Sequence, residues 1–210
     1  MPLIRKPPAT AAPKQPAASP DRIRAALASD DEQLRWNAAR AAAGHADCSA
    51  ALAAALPGEA SPRVRGAMFT SLAQNADDTA VNALQQLLRS DEADLRIGAL
   101  DALRLVVRGR SGLIAPLLDD DDPDVRILAC ELVRELPSSD ASALLCELLG
   151  HESEPNVCAA AVDVLAEAGD SSALAALTAC ASRFTDTPFL GFAIGVAIDR
   201  IRAQPPRSRG

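Results

Sequence analysis

A branched apolar residue followed by arginine returns along this chain at nearly constant spacing, as Leu34-Arg35, Val64-Arg65, Leu95-Arg96 and Val125-Arg126. Val157-Cys158 takes the same place with the arginine replaced, so the steps from Leu34 to Val157 are 30, 31, 30 and 32 residues. That period constrains the fold more than any other feature. Each repeat is one supersecondary unit too small to bury its own apolar face, so stability must come from stacking neighbours. Ahead of each pair stand polar or acidic residues, often with proline (SPRVR, DDPDVR, ESEPNV). Proline suits the first turn of a helix, where its missing N–H has no partner to lose, and acids suit the positive end of the helix dipole.

Behind each pair runs an apolar pattern at helical spacing. Around Val125 it is Leu128, Ala129, Leu132, Val133 and Leu136, one inward-facing stripe. Polar breaks follow (Gly44-His45, Asn75-Ala76-Asp77, Gly109-Arg110-Ser111, Pro137-Ser138-Ser139, Gly169-Asp170), and then a second, shorter helix such as TAVNALQQLL or SALLCELL. Each unit therefore reads as a helical hairpin. The predicted fold is all-α, a right-handed α-α superhelix of about five hairpins, with units at about 30–60, 61–90, 91–120, 121–150 and 151–182. Residues 21–29 read as the second helix of a truncated unit and 187–203 as a C-terminal capping helix, giving a solenoid over 21–203. Pro116 should kink a short second helix or mark its first turn. Residues 1–20, with six prolines, and 204–210 read as disordered tails.

Composition narrows the function classes. Aromatics are 2% of the chain, with no tyrosine, which favours close packing through small residues and disfavours strands. The formal charge of -7 understates the acidity of the body, because Arg5, Lys6, Lys14, Arg207 and Arg209 lie in the tails and leave 16 bases against 28 acids. So acidic a body argues against nucleic-acid binding, which needs basic residues to displace counterions from phosphates. Five cysteines without C-x-x-C spacing sit within apolar helical patterns, and the expected compartment is a reducing cytoplasm. The longest apolar stretch, FLGFAIGVAI at 189–198, is too short to span a bilayer.

The segments DPDVRILACELVREL and SPRVRGAMFTSLAQ resemble the HEAT-like repeats of the phycobilisome lyase type, a short-period HEAT variant, over residues 30–182. The resemblance implies an armadillo-like helical solenoid. That repeat family includes bilin-attaching lyases, deoxyhypusine hydroxylase and plain scaffolds, so architecture does not choose a function. The hydroxylase would need repeated His-Glu pairs for two irons. Here His151-Glu152 matches and His45 is followed by Ala46, too few ligands for such a site. Scarce aromatics weigh against a sandwiched tetrapyrrole.

Candidate residues follow from the repeat. Arg35, Arg65, Arg96 and Arg126 occupy equivalent positions and are expected to form a structural ladder, pairing with acids such as Asp94 or Asp124 and with carbonyls of neighbouring units. The run Asp119–Asp122 lacks the spaced ligands of a calcium loop and reads as helix capping. Cys130, Cys146, Cys158 and Cys180, even with His151, match no zinc spacing, so no metal and no cofactor is expected. No residue pairing suggests nucleophilic catalysis. Gln85, Gln86, Arg89 and Glu147, on the polar sides of second helices, are candidates for contacting a protein or peptide partner. In the last helix Leu190, Ile194, Ile198 and Ile201 line one side, while Phe189, Phe192 and Val196 widen the apolar surface. That surface is a candidate for docking or self-association. The expected role is a non-catalytic scaffold or adaptor, with an accessory or catalytic subunit for chromophore or cofactor attachment as the alternative.

Overall fold

The computed structural model describes residues 19–203, and the expectations for the two tails otherwise lie outside the described residues. Twelve α-helices and no strand are found among them. Their order is α1 (Pro20–Leu27), α2 (Glu32–Ala41), α3 (Ser49–Ala55), α4 (Pro62–Asn75), α5 (Asp78–Leu87), α6 (Ala93–Val107), α7 (Ile114–Leu118), α8 (Pro123–Val133), α9 (Ser138–His151), α10 (Pro155–Ala168), α11 (Leu174–Arg183) and α12 (Pro188–Ala203).

The even-numbered helices are the first helices of the units and stack in one layer, each against the next from α2 to α12. The odd-numbered helices form the second layer, where α3 lies against α1 and α5, and α9 against α11. Chemistry at the helix ends sets the starts of the units. Proline opens α1, α4, α8, α10 and α12, while Asp31, Asp77 and Asp122 accept hydrogen bonds from N–H groups of the turns they cap. Pro116 sits in the first turn of the five-residue α7, where a short 3-10 turn (Ser111–Leu113) leads in. The acidic run is used locally. Asp122 caps α8, and Asp120 accepts from the Asp122 N–H and pairs with Arg89.

The core runs continuously between the layers. Val64, Leu95, Val125 and Val157 are buried at the same place in successive first helices, each residue of this size contributing roughly 1.5–3 kcal/mol on burial. Leu34 departs from its equivalents and is 50% exposed. The reason is topological: Leu34 lies with Asn37 and Ala41 on the side of α2 that no first helix covers among the described residues. Gly98 has a different necessity. A Cβ there would overlap the Phe69 ring, so the packing of Phe69 from α4 against α6 leaves no room for a side chain at this position.

The helix foreseen over 187–203 forms as α12, but it is more than a cap. It packs on α10 and α11 in the place of a sixth first helix. Leu190, Ile194, Ala197 and Ile201 are buried and Ile198 half-buried, which leaves Phe189 (53%) and Phe192 (76%) exposed.

Candidate functional site

The repeated arginines act at the junctions between units, each with its own set of partners. Arg126 donates from Nη1 to the carbonyls of Asp120 (2.7 Å) and Asp121 (3.2 Å), in the loop ahead of its own helix. Its Nε and Nη2 grip both carboxylate oxygens of Glu152, at 2.7 and 3.1 Å, in the loop ahead of the next first helix. Arg35 repeats this pattern with the carbonyls of Ser29 and Asp30 and the carboxylate of Glu59. Arg96 keeps the carbonyl contact, to Ser90 at 2.5 Å, and has no carboxylate in ion-pair range among the described residues. Arg65 reaches forward to Asp94 (3.3 Å) and Glu92 (3.9 Å). Of the two acids named as partners, Asp94 pairs with Arg65 and Asp124 pairs with none of the four arginines among the described residues, while Glu59 and Glu152 carry no local signal of their role.

The electrostatics follow from that geometry. Burial alone would raise the Glu152 carboxyl, but the Arg126 guanidinium and the N–H groups of Glu154 and Ser153 outweigh it and hold its pKa below the ordinary value. Glu59 is lowered chiefly by its hydrogen bond from Arg35, against the effect of burial. Glu152 is thereby committed to Arg126. The adjacent His151 is exposed, 3.9 Å from Asp119, so the lone His-Glu dipeptide does not present two ligands to one point.

Where the fifth unit has Cys158 in place of arginine, another residue supplies the guanidinium. Arg183, at the end of α11, donates to the Glu152 carbonyl at 3.0 Å and to that of Gly150 at 2.8 Å. Sequence reasoning missed this residue because it lies on the other helix of the unit, well past Cys158 and 31 residues from the Glu152 carbonyl it caps. It also missed Asn75, whose amide ties two units by accepting from the Gly44 N–H (2.7 Å) and donating to the His45 carbonyl (3.2 Å) and Ser49 Oγ (3.0 Å). On the first-helix face, Trp36 is stacked by the guanidiniums of Arg40 (4.6 Å) and Arg63 (4.0 Å). The one signal for that cluster was an arginine four residues after the chain's single tryptophan.

The candidate contact residues divide between the two layers. On the second helices Gln86 and Glu147 are exposed and Gln85 is half-buried, while Arg89, expected on the same helix as Gln85, falls in the turn after α5, exposed but held by Asp120. Phe189, Phe192 and the half-buried Val196 lie on α12, away from that face. Cys48, Cys130, Cys158 and Cys180 are buried and Cys146 is half-buried. Burial, reinforced by nearby Glu131, pushes the Cys130 thiol up to about 12, and burial beside Cys180 pushes Cys158 up to about 12. Among the described residues no group of three or more His, Cys, Asp or Glu is placed to hold a metal ion, and no helix is long and apolar enough to cross a membrane.

Two layers of stacked helices with a repeated inter-unit ion pair define an α-solenoid. A family model for HEAT repeats matches residues 20–104 and 111–187, and the chain belongs to that family. Among solved structures it is similar to the Mini spindles TOG3 of Drosophila melanogaster, at 17% identity and a TM-score of 0.56, over 90% of this chain and 96% of the other. It also matches the complex of CpcE and CpcF of phycocyanin lyase from Nostoc sp. PCC7120, at 18% identity and a TM-score of 0.39, over 95% of this chain and 100% of the other. A designed armadillo repeat protein matches at 17% identity and a TM-score of 0.39, over 87% of this chain and 99% of the other. No curated protein matches the chain significantly. At these identities the likeness concerns the fold.

Proposed function

We propose that this chain is a non-catalytic scaffold that binds a protein or peptide along the face formed by its second helices. The carrying observation is the chemistry of that face. Its exposed side chains, including Ala54, Gln86, Ala143, Glu147 and Thr178, are small or polar and mostly uncharged, whereas Arg35, Arg65 and Arg126 are taken up in junction pairs. Such a row offers hydrogen-bonding groups with little desolvation to overcome, spread over several units, which suits an extended partner. The buried, weakly acidic thiols and the commitment of Glu152 to Arg126 support the non-catalytic reading. A cytoplasmic setting belongs to the same proposal and rests on the reduced, buried cysteines.

The test is affinity capture from the cell of origin, comparing the wild type with Gln86→Arg combined with Glu147→Arg. Both positions are exposed, so the fold should be kept. Loss of the same captured protein, by at least about tenfold, supports the assignment. Unchanged capture would overturn the choice of face. A visible absorbance band on the purified chain would replace the scaffold reading with chromophore handling.

A further inference from the structure

The two ends of this stack are complementary halves of one unit. Among the described residues, α1 is a second helix with no first helix before it, and α12 is a first helix with no second helix after it. We propose that the open end carried by α12 receives the α1–α2 end of a second copy of this chain, so that α12 and the incoming α1 make up the missing hairpin and the solenoid continues head to tail.

Interior junctions give the register. Ser71 on α4 donates to the Ala39 carbonyl on α2 at 2.7 Å, and Gly98 on α6 lies over Phe69 on α4. Counted from the start of each helix, Ala39 and Phe69 occupy the position that Gly195 holds in α12, and Gly98 and Ser71 those that Asn37 and Ala41 hold in α2. The same register sets Gly195 against Asn37 and Ala41 of the incoming copy and brings Leu34 beside Gly191 and Phe192. A Cβ at Gly191 or Gly195 would meet open space, which leaves room for the approaching helix. Of the five large hydrophobic residues exposed in the described chain, three (Leu34, Phe189 and Phe192) lie at these two ends.

Charge points the same way. Arg104 pairs with Glu131 at 3.4 Å and Arg134 with Asp163 at 2.6 Å, each from the twelfth residue after a first helix's N-cap to the ninth in the next helix. At the open ends those positions are Asp199 on α12 and Arg40 on α2, again opposite in sign, with the order reversed. Pairing α12 with its own copy about a two-fold axis would leave Leu34 uncovered and Arg40 without a carboxylate partner. A head-to-tail contact is heterologous, so every added copy presents a fresh end.

Sedimentation velocity on the full chain over a concentration series tests this, with far-UV circular dichroism as the control for folding. The wild type should grow beyond dimer with concentration. Gly195→Arg blocks one end and Leu34→Asp the other, both at exposed positions, and each alone should weaken association by at least about tenfold. An equimolar mixture of the two variants has one intact pair of ends and should stop at dimer. Asp199→Arg should weaken association, and adding Arg40→Asp in the same chain should restore it. The proposal is overturned by a wild type that stays monomeric throughout. It is equally overturned if Leu34→Asp associates as the wild type does while Gly195→Arg does not, or if the mixture remains monomeric.

Discussion

Replacing Arg126 with methionine isolates the contribution of one junction. The side chain is 14% exposed and its partner Glu152 is 4% exposed, so methionine keeps the apolar stem and strands a carboxylate in a nearly dry site. Removing one partner of a buried ion pair costs about 3–5 kcal/mol. Here Glu152 retains the N–H groups of Ser153 and Glu154, and Arg126 begins with some solvent contact, so about 2–3 kcal/mol is expected. Arg96→Met provides an internal comparison at an equivalent position. It loses a carbonyl hydrogen bond but no carboxylate partner, and should cost about 1 kcal/mol. Converting both Arg126 and Glu152 to methionine should cost less than Arg126→Met alone, since no unpaired charge is left behind. Urea unfolding followed by far-UV circular dichroism measures the stabilities. Hydrogen exchange should place the loss of protection in α8 to α10, as expected when units depend on their neighbours. Equal costs for Arg96→Met and Arg126→Met, or a double variant costing the sum of the two single ones, would refute the argument.

Three further outcomes can be checked directly. Glu59 and Glu152 have lowered pKa values when folded, so the stability they confer is present above the unfolded carboxyl value of about 4.3 and is lost as pH falls through the folded values. Urea midpoints should therefore drop below about pH 4.3, by less in Glu152→Gln than in the wild type. Gly98→Val should destabilise by about 1–3 kcal/mol although glycine is a poor helix former, and Phe69→Leu should recover part of the loss. In the native protein Cys146 should react first with a thiol reagent at neutral pH, while Cys130 and Cys158, with thiols near 12, react on unfolding. Equal rates at all five cysteines would contradict that ordering.

Sequence alone determined the unit: where each first helix begins, which stripe faces inward, and that hairpins must stack. These features depend on interactions within a few residues, such as proline in a first turn, Asp122 capping its own helix and Val125 spaced from Ala129 and Leu132. Apart from Asp94, which pairs with Arg65, the partners of the arginines were decided only in three dimensions. Glu152 lies 26 residues from Arg126, and Arg183 lies 31 residues from the carbonyl it caps, distances over which local propensity carries no information. The exposure of Leu34 is the sharpest case. Its local motif matches that of Val64, yet a side chain's burial depends on whether a neighbouring helix is present to cover it, and for α2 the described chain supplies none.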